Sequence, residues 1–403
     1  MLSFETKPYL HYLLYLLTIA CFLGKSFQVV AGLIVIVFFY EKYKQKDYSF
    51  FKNPIFILLM TWCCYLLLSS LWAINPSRSL KGAFEILLWS CTYIAIVNIL
   101  VKKEDIERFI KIQAYLILFI CFNVFIQYTF GYNLFGTPTR GSGFTSDLLH
   151  TDKVYAYIFT LWIALFGGMI VSKQLQKKQY ILFGISLFCL LVAIPLSGGR
   201  GPLIILSIFL PIIAWLSPYR KLAFSFLGIL LICGVVLVSF NTSLQKRLST
   251  LSDPFENQRQ IRISIWLTAF EMFKDNPILG VGFKNFRENV FTYYDPSFDS
   301  IEIIPQENRK ALHAHNPWMD ILSEQGLIGI GFLLSLLFLI TKSIYRKKGI
   351  VFVGSIGVWY SFSLLNSNFV LSNGSWAFFM LLSLSFFTVM KNYASLEEKP
   401  NFA

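Results

Sequence analysis

The chain has 403 residues, of which 56% are hydrophobic, 17% aromatic and only 14% charged, with a formal net charge of +13; its mean hydropathy is +0.60. A soluble domain carries roughly 25% charged residues, so this composition excludes an ordinary water-soluble fold. Repeated apolar runs of about 17 to 22 residues fit bilayer-spanning helices, and the class expected is an all-α polytopic membrane protein.

In chain order the runs place about 12 transmembrane helices, near 8–23, 27–40, 54–73, 83–101, 110–129, 154–172, 180–196, 202–217, 222–240, 322–341, 350–366 and 370–390. The first two are short and joined by Gly24-Lys25-Ser26, which suits a tight helical hairpin. The first run lacks a basic start and a small-residue cleavage site, so it reads as a retained helix rather than a signal peptide. All seven cysteines (Cys21, Cys63, Cys64, Cys91, Cys121, Cys189 and Cys233) lie in apolar runs. They imply no disulfide framework and read as small buried hydrophobes.

Loop charges set the expected orientation. With the N-terminus inside, about 20 of the 35 basic residues fall on the inner side, including Lys42, Lys44, Lys102, Lys103, Arg220, Lys221 and Lys342. The short outer loops hold only Lys25, Arg78, Lys81, Arg140, Lys153 and Arg200. Both termini are therefore expected in the cytoplasm. The basic excess is a topology signal that contacts membrane lipids, and no nucleic-acid partner is expected. The domain reading is residues 1–240 as helices one to nine with a short outer loop near 130–153, residues 241–316 as an extracytoplasmic loop or cap, and 317–403 as the last three helices and a cytoplasmic tail.

The long loop balances its basic residues (Arg259, Arg262, Lys274 and Lys284 among them) against Asp253, Glu256, Glu271, Asp275, Glu288, Asp295, Asp299, Glu302 and Glu307. That is too polar for the bilayer and too long for a plain connection. Within it, Glu256 to Lys274 reads as an amphipathic helix with Ile261, Ile265, Leu267, Phe270 and Phe273 on its apolar face. Asn276-Pro277 ends that helix, and Gly280-Val-Gly282-Phe283 makes a turn.

Few residues could carry chemistry. His313 and His315 are two of only four histidines and stand where the polar loop meets the next apolar helix. An imidazole there can exchange protons near neutral pH; the structural alternative is a pair that caps the helix. Arg200, in Ser197-Gly-Gly-Arg-Gly-Pro202, precedes a proline suited to the first turn of a helix. A helix start and a guanidinium both favour phosphate oxygens, although an arginine there could also snorkel to headgroups. Arg259, Arg262 and Trp266 share one helix face, either a diphosphate or sugar contact or a plain solvated face. Arg140, in a glycine-rich stretch, has the weakest case. Zinc would need a third ligand and no metal-type spacing accompanies the histidine pair, so neither metal nor cofactor is expected. P-loop, Rossmann and serine or cysteine nucleophile motifs are absent. An outward site with arginines and a histidine, fed from the membrane, fits group transfer from a lipid-linked diphosphate. The arginines would stabilise the leaving diphosphate and the histidine would take the proton of the attacking hydroxyl.

His315-Asn316, then nine residues, then Gly326-Leu-Ile-Gly329 resembles the histidine motif of the bacterial O-antigen ligases. Arg262-x-x-x-Trp266-x-x-Ala269 and Asn276-Pro277-x-x-Gly280-x-Gly282-x-x-Asn285-Phe286 resemble the rest of that ligase and polymerase superfamily domain, and Ser197-x-x-Arg200-Gly its arginine motif. The resemblance spans roughly residues 195–335. It implies a GT-C-type membrane glycosyltransferase that moves a polysaccharide from undecaprenyl diphosphate to a sugar hydroxyl of lipid A-core, without a metal. It further implies His315 as the catalytic histidine, with His313 as the alternative, and Arg200, Arg262 and, more loosely, Arg140 as donor-binding residues. Asn316 and Trp266 are expected to line the substrate. An O-antigen or capsule polymerase, a protein O-oligosaccharyltransferase and a lipid-linked glycan flippase are the competing readings. The first 130 residues offer no comparable motif.

Overall fold

The computed structural model describes residues 7–23, 26–138, 177–196, 220–240, 258–295, 313–314 and 316–345, together with isolated helical positions between 162 and 170, 207 and 215, and 381 and 392, and residue 245. The described residues are helical and contain no strand; one isolated bridge joins Tyr132 and Pro138. The helices are α1 (Pro8–Ala20), α2 (Ser26–Lys44), α3 (Pro54–Leu68), α4 (Pro76–Ile99), α5 (Lys103–Phe130), α6 (Lys177–Leu196), α7 (Arg220–Phe240), α8 (Gln258–Asp275), α9 (Phe286–Tyr293) and α10 (Pro317–Tyr345). Among the described residues, five helical stretches are long and apolar enough to cross a membrane: Ser26–Lys44, Pro54–Leu71, Pro76–Ile99, Lys103–Phe130 and Pro317–Ile340. The expected span at 350–366, and most of those at 154–172, 202–217 and 370–390, lie outside the described residues.

Asparagine-proline pairs start the helices that matter most here. Asn53 Oδ1 accepts from the Ile55 and Phe56 amides, Asn75 Oδ1 from the Arg78 amide, and Asn316 Oδ1 from the Trp318 and Met319 amides. In each case proline follows at the first helical position, where its missing N–H costs nothing. This is why α4 begins at Pro76, several residues before the apolar run that marked it in the sequence.

Two hydrophobic cores result. The large one unites α1 to α6 with the membrane part of α10; Trp62 of α3 stacks on Phe332 of α10, with centroids 5.7 Å apart. The small one lies in the cap: Ala269, Met272, Val281, Phe286, Val290 and Ala314, flanked by Ile265, Tyr293 and Met319. The amphipathic helix is present as α8, but its face differs from expectation. The buried stripe is Ser264, Thr268, Ala269 and Met272, with Ile265 beside it, while Leu267 and Phe270 are exposed. Small residues let α8 pack closely on α10, and the larger apolar side chains turn outward.

Candidate functional site

Among the described residues, one loop makes most of the hydrogen bonds that join the cap to the membrane helices. Residues 276–286 run from the end of α8 through a break in α10 and across the junction of α3 and α4. At the break Gly326 takes φ 61° and ψ −157°. This interrupts the α10 ladder, and the loop supplies the missing partners: the Leu327 amide donates to Pro277 O (2.9 Å), and the amides of Val281 and Gly282 donate to Ser323 O and Glu324 O (2.9 and 3.0 Å). The approach is so close that a Cβ on Gly326 would lie 2.4 Å from Ile278 O, and one on Gly280 would lie 2.3 Å from the Glu324 carbonyl carbon. Both glycines have positive φ, so side chains are excluded twice over.

Side chains complete the clasp. The buried Glu324 carboxyl accepts the amides of Lys284 and Phe286, both at 2.9 Å. Asn285 Oδ1 accepts the Asn75 amide (2.7 Å) while its Nδ2 donates to Ser79 Oγ and Phe283 O. Tyr65 Oη sits 2.9 Å from Leu279 O and 2.8 Å from Gln325 O, and Trp62 Nε1 donates to Gln325 Oε1 (2.7 Å). Two ion pairs cross the same boundary: Lys284 with Glu85 (2.9 Å) and Arg78 with Glu288 (2.6 Å). Lys284 adopts positive φ, a strain the surrounding contacts hold in place. Glu85, conspicuous in the sequence as a charge within an apolar run, is thus the partner of a cap lysine.

Above the clasp lies the histidine turn. Ala314, between His313 and His315, is fully buried in the cap core. Its carbonyl accepts the indole N–H of Trp266 (2.9 Å), and its amide donates to Asp320 Oδ1 (2.5 Å). The Asp320 amide returns to Asn316 O (2.8 Å). The turn is therefore held by α8 on one side and by the first turn of α10 on the other. Trp266 and Asn316, assigned to substrate from sequence, use these polar atoms to hold Ala314 and the first turn of α10. His313 is half-buried at its edge.

His315, Arg200 and Arg140 lie outside the described residues, as does the side chain of Arg262, whose backbone stands in the first turns of α8. The chain leading to Arg140 is described as far as Pro138. Gln127 Nε2 donates to Thr137 O and Pro138 O (3.1 and 3.2 Å), and Asn133 Oδ1 accepts the Phe135 and Thr137 amides. The residues that sequence reasoning missed belong to α3, α4 and the turn between them: Tyr65, Ser69, Asn75 and Ser79 reach the loop, and Trp62 reaches Gln325 of α10, each more than 200 positions away. The Asn75-Pro76 cap was their visible signal.

A multi-pass membrane protein, helical and without strands among its described residues, is the class these features define. Residues 185–334 match the family model described as O-antigen ligase, so this segment is similar to that family. No curated protein matches the chain. The matched segment runs from α6 to just past the break in α10 and takes in Arg200, Arg262, His315 and the 276–286 loop.

Proposed function

We propose that the chain is a glycosyltransferase of the O-antigen ligase type, moving a completed polysaccharide from undecaprenyl diphosphate to a sugar hydroxyl of lipid A-core at the periplasmic face of the inner membrane. His315 serves as the base toward the attacking hydroxyl. Arg200 and Arg262, with Arg140 in a lesser role, hold the donor diphosphate and stabilise the charge that builds on it as it leaves. The energy resides in the activated donor, so neither nucleotide nor metal is required. About 12 spans in a GT-C-type arrangement, with both termini cytoplasmic, complete the reading.

The observation that carries it is the family match over 185–334, the segment that contains the histidine and two of the three arginines. The clasp adds support: it puts the α3–α4 junction and the cap on one side of the molecule, the side the loop charges assign to the outside. The test is transfer by purified protein in the presence of a metal chelator, with lipid-linked glycan and lipid A-core. Glycan on the core with undecaprenyl diphosphate released is the expected result. Longer lipid-linked chains would make the protein a polymerase, and no covalent change a transporter. A His315→Ala variant should lose transfer by roughly 100-fold or more while remaining folded; full activity would remove the base assignment.

A further inference from the structure

Three hydrogen bonds set the start of the 276–286 loop at the depth of the membrane helices. The Leu327 amide donates to Pro277 O (2.9 Å) and the Ile328 amide to Ile278 O (3.4 Å), while the Tyr65 hydroxyl donates to Leu279 O (2.9 Å). Leu327 and Ile328 lie past the break in α10, inside the membrane-length stretch Pro317–Ile340, and Tyr65 lies inside Pro54–Leu71. Tyr65 stands about 9 Å along the helix axis from the Leu71 end of its stretch. The loop therefore descends beside these helices rather than passing over their ends. Irregular backbone at such a depth is tolerated only where protein satisfies its polar groups, and here three consecutive carbonyls are taken by membrane helices. Pro277 brings no N–H that would need a partner.

The side chains at this level are apolar and uncovered. Ile278 is 61% exposed and Leu279 42%, and Leu327, bonded to Pro277, is 54% exposed. Leu327 opens an exposed stripe of α10 that continues through Leu334 and Phe338 at helical spacing. Helix α8 comes down to the same level: Trp266 meets Ala314, ahead of α10, and Pro277, just past the end of α8, meets Leu327, beyond the break. Near this lower end Lys274 Nζ turns back over the Phe270 ring, 5.3 Å from its centroid, and pairs with Glu271 at 2.7 Å. A lysine takes that posture when its stem lies in an apolar layer and its charge reaches for a polar one. We propose that Pro277, Ile278 and Leu279 form a lipid-immersed tip that docks the cap into the acyl chains of the leaflet nearer to it. Acyl chains are the occupant because the tip carries no charge and its backbone joins the exposed stripe of a membrane-length helix. So anchored, the tip sets the height of α8 above the bilayer, and with it the Ala314 turn that Trp266 holds.

The test uses the wild-type full chain, so no variant has to fold. The protein is placed in vesicles containing a phospholipid with a photoactivatable diazirine on its acyl chain. Adducts are located by peptide mass spectrometry and scaled to those on Leu334 and Phe338. Lipid adducts on Pro277–Leu279 should match those on the α10 stripe and exceed severalfold those on Arg287, exposed on α9. A water-soluble diazirine should give the reverse pattern, labelling Arg287 and sparing the tip. A tip that takes the water-soluble reagent as readily as Arg287 stands in solvent, and the proposal is overturned. A tip that takes neither reagent is covered by protein, a second copy of the chain included, which overturns it equally. The labelling needs no substrate, so its outcome is separate from that of the transfer assay. A protein that transfers no glycan yet shows a lipid-labelled tip would lose the glycosyltransferase assignment and keep the docked cap.

Discussion

At the scale of single residues, the chemistry of Glu324 shows why a charged side chain sits at the head of an apolar helix. Its two oxygens satisfy two loop amides, those of Lys284 and Phe286, in a place closed to water. Substituting alanine would strand both donors, and each buried unpaired amide costs about 1–3 kcal/mol. Glu324→Ala should therefore lower the thermal unfolding temperature markedly, by more than a cap substitution such as Asn316→Ala, whose expected cost is about 1 kcal/mol. Equal losses in a thermal-shift comparison would mean that the two amides find other partners. Neither effect needs the active histidine, so residual transfer per folded molecule separates them from a catalytic lesion.

At the scale of elements, the C-terminal ends of α6, α7 and α8 were the most legible feature of the sequence, and helix faces the least. Helix α8 begins and stops close to where periodicity and Asn276-Pro277 put it. The residues it buries are not those expected, because a face rich in serine, threonine and alanine was read as polar when it is the close-packing face. The break in α10 was invisible for a related reason. Gly326 lies in a helical pattern, and only a loop arriving from 40 to 50 positions upstream makes its left-handed conformation favourable. The exit of α2 is a simpler case of local chemistry. Lys42, buried in the last turn, pairs with Asp47 at 2.6 Å, and Asp47 also accepts the Ser49 amide. Burial alone would raise the Asp47 carboxyl, but hydrogen bonds from Lys42 and Ser49 and the Lys42 charge outweigh it and hold the group at about 2. A lowered carboxyl stabilises the fold above its ordinary value of 3.8 and loses that contribution as pH falls toward about 2. The wild type should be more stable than Asp47→Asn at neutral pH, and the gap should narrow between about pH 4 and pH 2. Melting curves of the two proteins that stay equally far apart down to the acid end would rule out this pair as the source.

At the scale of the whole molecule, the clasp ties two cores into one unit. Among the described residues the cap core comprises Ala269, Met272, Val281, Phe286, Val290 and Ala314, each buried apolar side chain contributing about 1.5–3 kcal/mol. The described residues join it to the membrane helices through Asn75, Ser79, Tyr65 and the Lys284–Glu85 and Arg78–Glu288 pairs. Tyr65 is the sharpest probe of that dependence, because its single hydroxyl proton is shared by Leu279 O in the loop and Gln325 O at the helix break. Tyr65→Phe keeps the ring against Phe332 and removes only the shared donor, a loss of about 1 kcal/mol. If the cap is held by the clasp, hydrogen exchange should rise across 276–286 and in α8 and α9 together, while the buried middle of α3 stays protected. Exchange that rises only at Leu279 and Gln325 would instead describe a cap that stands without its fastening. The cap would then be an independent domain, and the position of the histidine turn would no longer depend on α3 and α4.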